Sequence, residues 1–434
     1  MSKQDKKGLV PALRFPEFRE EDEWESESFD KIYSFKTTNS LSRDKLNYEE
    51  GTVKNIHYGD IHTKFSTLFD IEKEAVPYIN PTESLEKIKP ESYCVEGDMI
   101  FADASEDMDD IGKSIEIVHL NNEKLLSGLH TLLARQIEKK LIIGFGGYLF
   151  KSNLIREQIK RESQGAKVLG ISVGRLSSID MGYPVDEKEQ QKIVDCLTSI
   201  DELVTAQTQK LDHLKALKKG MMQQLFPAEG ETMPELRFPE FRDKREWEEA
   251  RLGDKEISDF IKDRIPLNQI DIESYISTVN LLPDYAGVKT ATKLPPSGSF
   301  TQFRKNDVLI SNIRPYLKKV WQARMDGSAS NDVIVIRAKN KIIDDFLIYI
   351  LKNDDFINYV MKDAKGVKMP RGDISSMKKY PLYYPSKNEQ QIIADCLTSI
   401  DALITVQAQK IEALKAHKKG LMQKLFPARD EVIV

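Results

Sequence analysis

One stretch of the sequence combines side chains that bind nucleic-acid bases and phosphates. It runs SNIRPYLKKVW from Ser311 to Trp321, between two runs of β-branched residues that predict strands. Arginine and asparagine pair bidentately with guanine and adenine edges, whereas lysine binds phosphates. The stretch therefore predicts a DNA-binding loop, whose candidate residues, with one nearby arginine, are Asn312, Arg314, Tyr316, Lys318, Lys319 and Arg324.

A second polar stretch, HYGDIHTKF, spans His57 to Phe65. Surface loops are commonly polar, so one such stretch is weak evidence by itself. We expect the two stretches to occupy comparable places in duplicated domains, which strengthens the prediction for both. The candidate DNA-binding residues of this stretch are His57, Tyr58, Asp60, His62, Thr63 and Lys64.

No arrangement of residues typical of a catalytic site is apparent. The GFGG that begins at Gly144 is followed by apolar residues and is a weak match to a cofactor-binding loop. The histidines are scattered without the carboxylate arrangement of a zinc site. The acidic run ADASEDMDD, which begins at Ala102, could bind a divalent cation, but a solvated acidic loop is the simpler interpretation. We therefore predict no catalytic residue, no metal site and no cofactor in this chain.

The composition is typical of a globular protein of the cytoplasm. The chain has 434 residues, 40% hydrophobic and 31% charged, and no apolar run approaches the roughly 18 residues of a membrane span. Three cysteines are too few for a disulfide framework. The net charge of −5 argues against a protein that simply coats nucleic acid. The segment from Gln302 to Arg324 nevertheless has six basic residues and one acidic residue, which leaves room for a local anion-binding face.

Two blocks of sequence occur twice. The segment from Glu189 to Ala228 matches the segment from Glu389 to Ala428 at 28 of 40 positions, and both contain DCLTSID. A shorter block, PALRFPEFREEDEWE from Pro11, matches PELRFPEFRDKREWE from Pro234 at 11 of 15 positions. The segments between these blocks share almost no identity and predict mixed α/β structure. Such a duplication indicates either two similar modules that bind different things or an old duplication whose buried scaffold changed slowly.

The longer repeated block predicts a helix of about 38 residues, roughly 57 Å long, with a heptad seam. A seam of five heptads favours a coiled coil between the two copies, although packing on the helix's own domain is the alternative. An antiparallel arrangement would bring the middles of the two helices together. We expect Gln207 and Gln407, near the helix middles, to determine the register. Lysines cluster towards the helix ends and form either a solvated face or a docking or phosphate-binding surface. The seam residues within the repeated string are Leu197, Ile200, Leu397 and Ile400.

The residues quoted above resemble the specificity subunit of type I restriction-modification systems. The resemblance rests on PALRFPEF followed by Trp, on the EQQ…LTSID…LFP helix, on YGDIHTK and on NDVLISNIRPYLKKVW, and covers Pro11 to Ala428. It implies an α+β fold in which two divergent mixed α/β target recognition domains are joined by two long helices that form an antiparallel coiled coil with an internal pseudo-twofold repeat. The implied domains are residues 1–186 and 228–386, the helices are residues 187–227 and 387–428, and residues 429–434 form a tail.

The resemblance also implies a function and partners. Each recognition domain would bind one half of a bipartite, asymmetric double-stranded DNA target, and the helices would set the unread spacer and dock two methyltransferase subunits. Restriction (motor-nuclease) subunits would join them in the bacterial or archaeal cytoplasm. This chain would be non-catalytic, with S-adenosylmethionine, ATP and Mg²⁺ bound by its partners. The alternatives are a coiled-coil scaffold with two domains for ligands other than DNA, and a single-chain nuclease or methyltransferase.

Overall fold

The computed structural model describes residues 9–228 and 230–428, so the predicted tail at residues 429–434 lies outside the described residues. The chain divides into two compact units. The first comprises Met1–Gln207 and Lys410–Val434, and the second comprises Thr208–Gln409. Each unit therefore contains one divergent segment, the first half of one long helix and the second half of the other.

The first unit is built on a five-stranded sheet with the order β2-β11-β7-β9-β5, antiparallel except for β5 and β9. A second sheet has the order β10-β4-β6-β3, and two strand pairs, β1 with β13 and β8 with β12, complete the unit. The strands are β1 Glu25–Ser28, β2 Tyr33–Lys36, β3 Leu46–Asn47, β4 Lys54–Ile56, β5 Leu68–Asp70, β6 Tyr78–Ile79, β7 Met99–Ala102, β8 Ala104–Ser105, β9 Ser114–His119, β10 Leu125–Ser127, β11 Thr131–Gln136, β12 Leu169–Gly170 and β13 Asp180–Tyr183. The helices are α1 Phe29–Ile32, α2 Tyr58–Thr63, α3 Phe145–Leu149, α4 Asn153–Glu162, α5 Val173–Ser177 and the long α6 Glu187–Leu225.

The second unit repeats this plan with one strand fewer in the main sheet, whose order is β15-β22-β19-β20. A second sheet has the order β16-β18-β21-β17, and β14 pairs with β23. The strands are β14 Glu248–Arg251, β15 Ser258–Phe260, β16 Arg264–Pro266, β17 Tyr275–Ile276, β18 Ser299–Phe303, β19 Val308–Ser311, β20 Val320–Gln322, β21 Gly327–Ala329, β22 Val333–Ala338 and β23 Pro381–Tyr384. The helices are α7 Asp344–Leu351, α8 Asp354–Lys362, α9 Ile374–Met377 and the long α10 Lys387–Leu425.

Residues 344–362 have apolar spacing typical of a helix and form two helices, α7 and α8. The break lies at Lys352 and Asn353, where the Asn353 side chain accepts a hydrogen bond from the backbone N–H of Asp355. An asparagine in this position caps a new helix. All residues of α7 from Phe346 onwards are buried, whereas α8 buries only one face, so the break turns an interior helix into a surface helix.

The long helices α6 and α10 have 39 residues each, or about 58 Å at the usual rise per residue. Within the first unit, Lys418 of α10 contacts Asp201 of α6, and the end of α10 packs near the start of α6. Within the second unit, Lys218 contacts Asp401 in the same way. The two helices therefore run antiparallel, as predicted. The heptad positions are buried or half-buried along both helices, including Leu197, Ile200, Leu397 and Ile400.

The ends of the long helices complete the cores of the units. Leu425 and Phe426 enter the first core, where the Phe426 ring lies 6.0 Å from Trp24, edge to face. Leu225 and Phe226 enter the second core beside Trp247. The repeated Trp and Leu-Phe-Pro residues therefore form one contact in each unit, between a domain and the helix that ends on it.

An ion pair attaches the shorter repeated block to the start of a long helix. The Arg14 guanidinium donates to both carboxylate oxygens of Glu189, at 2.8 and 2.6 Å, and both side chains are buried. Arg237 and Glu389 form the same pair at 2.7 and 2.8 Å. Two parallel hydrogen bonds between arginine and carboxylate are strong and geometrically specific.

We expect Glu189→Gln to lower the free energy of unfolding, measured by urea titration, by about 3 kcal/mol, because Arg14 keeps a buried charge without its partner. The control is Glu17→Gln, which removes an exposed ion pair, at 3.2 Å, between the same N-terminal segment and Lys192 of the same helix. We expect no measurable change for the control, since exposed pairs contribute little. Equal losses for the two variants would contradict the structural role of Glu189.

Candidate nucleic-acid interface

Strands β7 and β19 are equivalent central strands, and each follows a buried aspartate. Asp98 accepts two hydrogen bonds from Arg135 of β11, and Asp307 accepts two from Arg337 of β22. This shared arrangement aligns residues 103–105, which follow β7, with residues 312–314, which follow β19. We call these two segments the strand-end loops.

The strand-end loop of the second unit holds Asn312 and Arg314 in an unusual backbone conformation. Arg314 has a φ of 51°, in the left-handed region, and its N–H donates to the Pro370 carbonyl at 2.7 Å. Asn312 Oδ1 and Arg314 Nε are buried atoms with no hydrogen-bond partner among the described residues. Strained backbone and unsatisfied buried polar atoms both concentrate at functional sites. The two residues predicted to contact base edges, Asn312 and Arg314, therefore both belong to the segment with these features.

The other predicted residues of this stretch differ in their placement. Tyr316 is exposed beside the strand-end loop, in the turn Pro315–Leu317. Lys318 forms an ion pair with Asp354 at 2.5 Å, and Lys319 donates to the Thr278 carbonyl at 2.7 Å. The pKa of Lys319 is lowered mainly by burial, and to a lesser extent by the charges of Lys289 and Arg314. Both lysines therefore make contacts within the unit.

Arg324 does not join this group. It follows β20, whose Gln322 pairs with Val308 at the start of β19, whereas the strand-end loop follows the end of β19. Arg324 is therefore exposed at the opposite end of the sheet from Asn312 and Arg314. Spacing along the sequence could not reveal this separation, because β19 and β20 run antiparallel.

In the first unit, helix α2 brings imidazole and phenol rings to the strand-end loop. His62 Nε2 lies 3.0 Å from the Ala104 carbonyl, and His130 Nδ1 lies 3.2 Å from Asp103 Oδ1. The Tyr58 ring lies 5.3 Å from the His130 ring, measured between centroids. His130 and Asp103 were not predicted from the sequence, since they come from other loops.

Several residues of HYGDIHTKF stabilise α2 itself. His57 caps the helix by accepting from the Gly59 N–H, and burial, followed by the Arg43 charge, lowers the pKa of His57. Thr63 donates to the Gly59 carbonyl within the helix. These contacts leave Tyr58 and His62 as the members of the stretch that face the strand-end loop.

Asp60 is also an internal residue. Its side chain is buried, and one carboxylate oxygen lies 3.0 Å from both Arg43 Nη2 and Lys64 Nζ. Lys64 also donates to the Tyr48 hydroxyl at 2.9 Å. Arg43 and Lys64 are about half exposed and are oriented by Asp60, so the cations are available on this surface and the aspartate is not.

The two predicted stretches do not occupy comparable places, and this expectation was wrong. Residues 277–281 are the counterpart of residues 57–61, because β4 pairs in parallel with β10 and β17 pairs in parallel with β21. Asn280 and Asp60 occupy equivalent positions in the two units, and both are buried. The counterpart of SNIRPY is the acidic run that follows β7. Strand pairing determines this equivalence, and the diverged sequences obscure it.

Sequence reasoning missed a pair of hairpins that pack on the strand-end loops. Residues 164–170 close through two backbone hydrogen bonds between Gln164 and Gly170, and residues 365–371 close in the same way between Lys365 and Arg371. We call these the tip hairpins. The first pairs with β8, and the second forms a bridge between Arg371 and Ile313. Each strand-end loop therefore forms one continuous surface with a tip hairpin.

The tip hairpins carry exposed apolar and basic side chains. Lys167 and Lys368 occupy equivalent exposed positions, and Val367 is completely exposed. Gly165 and Gly366 have φ values of 131° and 98°, which only glycine adopts readily. These shared Gly and Lys residues, at an offset of 201, are the sequence signal that could have identified the hairpins.

Among residues 9–228 and 230–428, the acidic run after Ala102 does not converge on a cation site, and the group of potential ligands that does converge is Asp70, Glu72 and His119. Exposed groups of this kind are common without a metal. Within the same residues, no helix is long and apolar enough to cross a bilayer.

Comparisons with known proteins agree with this architecture. The model of the family described as "Type I restriction modification DNA specificity domain" matches residues 22–216 and 244–416. The putative type I restriction enzyme MjaX specificity subunit of Methanocaldococcus jannaschii is 24% identical over 410 residues, which cover 91% of this chain and 90% of that protein. The MjaVIII specificity subunit of the same organism is 25% identical over 326 residues, which cover 68% of this chain and 73% of the relative.

Solved structures show the same fold. The S subunit of a type I restriction-modification system from M. genitalium superposes with a TM-score of 0.57 at 14% identity, covering 97% of this chain and 100% of that one. A chain from a study of complex assembly and conformational transition of the type I R-M system gives a TM-score of 0.55 at 15% identity, covering 93% and 98%.

These matches confirm the predicted duplicated α+β fold and the predicted role as a DNA-binding specificity subunit. The two family matches together span well over half of the sequence and coincide with the two divergent segments and the helices that follow them. The chain therefore belongs to the family of type I restriction-modification DNA specificity domains, of which it contains two.

Proposed function

We propose that each unit binds one half of a bipartite double-stranded DNA target through its strand-end loop and tip hairpin. The observation that carries this proposal is that the two units share one framework and differ in the side chains on this surface. Asp103, His130 and His62 occupy it in the first unit, whereas Asn312 and Arg314 occupy it in the second. Different side chains on equivalent loops give different base preferences.

The second half-site offers the more specific chemistry. An arginine binds the O6 and N7 atoms of guanine bidentately, and an asparagine binds N6 and N7 of adenine. Arg371, paired with Asp332 at 2.9 Å, lies beside them on the tip hairpin. Exposed Tyr316 and the apolar tip at Val367 suit contacts with sugars and thymine methyl groups. The first half-site offers imidazole and phenol groups instead, so its base contacts differ in kind.

The long helices suit a role as a spacer and a docking surface. Each begins in one unit and ends in the other, so its length determines the separation of the two half-sites. Two similar copies of the helix surface fit two identical methyltransferase subunits, to which restriction (motor-nuclease) subunits are added. S-adenosylmethionine, ATP and Mg²⁺ then belong to these partners, and this chain contributes DNA recognition. A scaffold for ligands other than DNA would not account for the family match.

We expect Arg314→Ala to change recognition of one half-site only. The variant loses about 1–3 kcal/mol of discrimination at one base pair, because the bidentate contact is removed. Mapping of methylated adenines in cells that carry the variant identifies the relaxed position. The matched control is Arg324→Ala, which removes an arginine of the same stretch from the other end of the sheet and should leave the target unchanged. Relaxation in both halves, or in the control alone, would contradict the assignment.

We expect a deletion of four residues from the segment 189–226 to shorten the unread spacer by one or two base pairs. Four helical residues span about 6 Å, and one base pair spans about 3.4 Å. The same methylation map measures the spacer, and exchange of residues 249–386 for those of a relative serves as the control that changes one half-site at constant spacing. A spacer of unchanged length after the deletion would show that the helices do not set the distance between the half-sites.

A further inference from the structure

Each unit contains a lysine-lined cavity beside the candidate interface. In the second unit, a cavity of about 460 Å³ lies between the second half of α6 and the junction of α7 and α8. Five lysines and two carboxylates line it, so its charge is positive. The lysines are Lys215, Lys218, Lys219, Lys318 and Lys352.

The first unit contains an equivalent cavity of about 380 Å³ between the second half of α10 and the segment between α3 and α4. The repeated helix contributes three lysines at the same positions. The domain contributes Lys151, which is the counterpart of Lys352, and Arg156. The basic residues of this cavity are Lys113, Lys151, Arg156, Lys415, Lys418 and Lys419.

Not all of these lysines are free to bind a ligand. Lys218 is paired with Asp401, at 2.6 Å, and Lys418 is paired with Asp201. Lys352 is different, because its ammonium group lies 5.9 Å from the ring centroids of Tyr285 and Tyr349 and, among the described residues, makes no ion pair. Burial, with the nearby Lys218 charge, lowers the pKa of Lys352 to about 8. Asp401 is the nearby carboxylate that opposes this shift, but it is already paired with Lys218. A half-buried ammonium group with no carboxylate of its own at ion-pair distance favours a ligand that compensates its charge.

The domain lysine is half-buried in both units. Lys151 donates to the hydroxyl of Thr67, and burial, with the nearby Lys418 charge, lowers the pKa of Lys151 to about 8 as well. Two units whose divergent segments share almost no sequence identity therefore both retain a half-buried lysine beside the same three helix lysines.

We propose that each cavity binds a backbone phosphate of the DNA duplex next to the half-site that the same unit recognises. Two observations favour this occupant. The cavity borders the candidate interface, because Lys318 in the second unit and Asp109 in the first belong to the segments that follow the strand-end loops. Four lysines of each cavity, three from the helix and one from the domain, are equivalent in the two units. The phosphate is likewise the same in every DNA sequence, whereas the loops that would contact bases differ.

This proposal rests on the proposed function, and its test separates the two. Binding of the chain, assembled with its methyltransferase subunits, to a target duplex is measured at several NaCl concentrations. Each phosphate contact contributes about 0.9 to the slope of log K against log salt. We expect Lys352→Met to reduce the slope by about 1, and Lys151→Met with Lys352→Met to reduce it by about 2. The preference for the target over a duplex with a scrambled half-site should not change.

Two control variants accompany the test. Lys352→Arg retains the charge and should retain the slope, and Lys210→Met removes an exposed lysine of α6 that does not line the cavity. Thermal unfolding of Lys352→Met should occur at the wild-type temperature or above it, because methionine fills the site without a charge.

Three outcomes would overturn the proposal. The first is specific binding by the wild type with an unchanged slope in Lys352→Met. The second is a loss of target preference in that variant, which would mean that the lysine contacts bases. The third is weakened assembly with methyltransferase subunits at unchanged DNA affinity, which would assign the cavity to an acidic segment of the partner. Absence of specific binding by the wild-type assembly would instead contradict the proposed function.

Discussion

The structure depends on the polar contacts that hold each long helix to two different neighbours. At its start, each helix is attached to the domain that precedes it by a buried Arg–Glu pair, Arg14 with Glu189 or Arg237 with Glu389. The next residue in each helix, Gln190 or Gln390, is buried and bridges backbone groups of the same domain. Because buried polar groups require partners of defined geometry, these contacts allow one orientation of helix and domain.

The second neighbour is the other long helix. In the first unit, Asp201 accepts hydrogen bonds from Lys418 and from the Tyr148 hydroxyl, at 2.6 and 2.9 Å. In the second unit, Asp401 accepts from Lys218 and Tyr349, at 2.6 and 3.0 Å. One carboxylate thus connects a domain, its own helix and the end of the other helix. The Asp201–Lys418 and Asp401–Lys218 ion pairs form only when the two long helices are antiparallel and in one register. These two ion pairs therefore specify the register of the heptad seam, which apolar side chains alone would not do.

These contacts explain why one part of the sequence is repeated and the rest has diverged. In DCLTSID, Leu197 is in the core, Asp201 forms the polar cluster, and Thr198 lies 3.2 Å from the Tyr148 hydroxyl. The exposed members contact only their own helix, as Ser199 does through the Asp195 carbonyl. The repeated residues are therefore the framework of each unit. The strand-end loops and tip hairpins extend from the sheet beyond this framework, so their residues can change without loss of the fold.

The sequence by itself determined the duplication, the two long helices, their antiparallel seam and the family. The duplication and the helices follow from identity and periodicity along the chain, whereas the family follows from the resemblance of the repeated motifs to known specificity subunits. The sequence also predicted Asn312 and Arg314 together, because both residues follow one strand directly, and their contact with DNA stays a prediction. Gln207 and Gln407 stay a prediction for the register.

Only the tertiary structure decided which other residues share the surface. Arg324 lies close to Arg314 in sequence but at the far end of the sheet, since an antiparallel strand separates them. His130 and the tip hairpins join the surface from segments distant in sequence. Asp60 and Lys319 are polar residues whose type suggests recognition, yet their partners within the unit engage them. The residue type determines what a side chain can bind, whereas the packing of strands and loops determines whether that side chain is exposed at the recognition surface or engaged within its own unit.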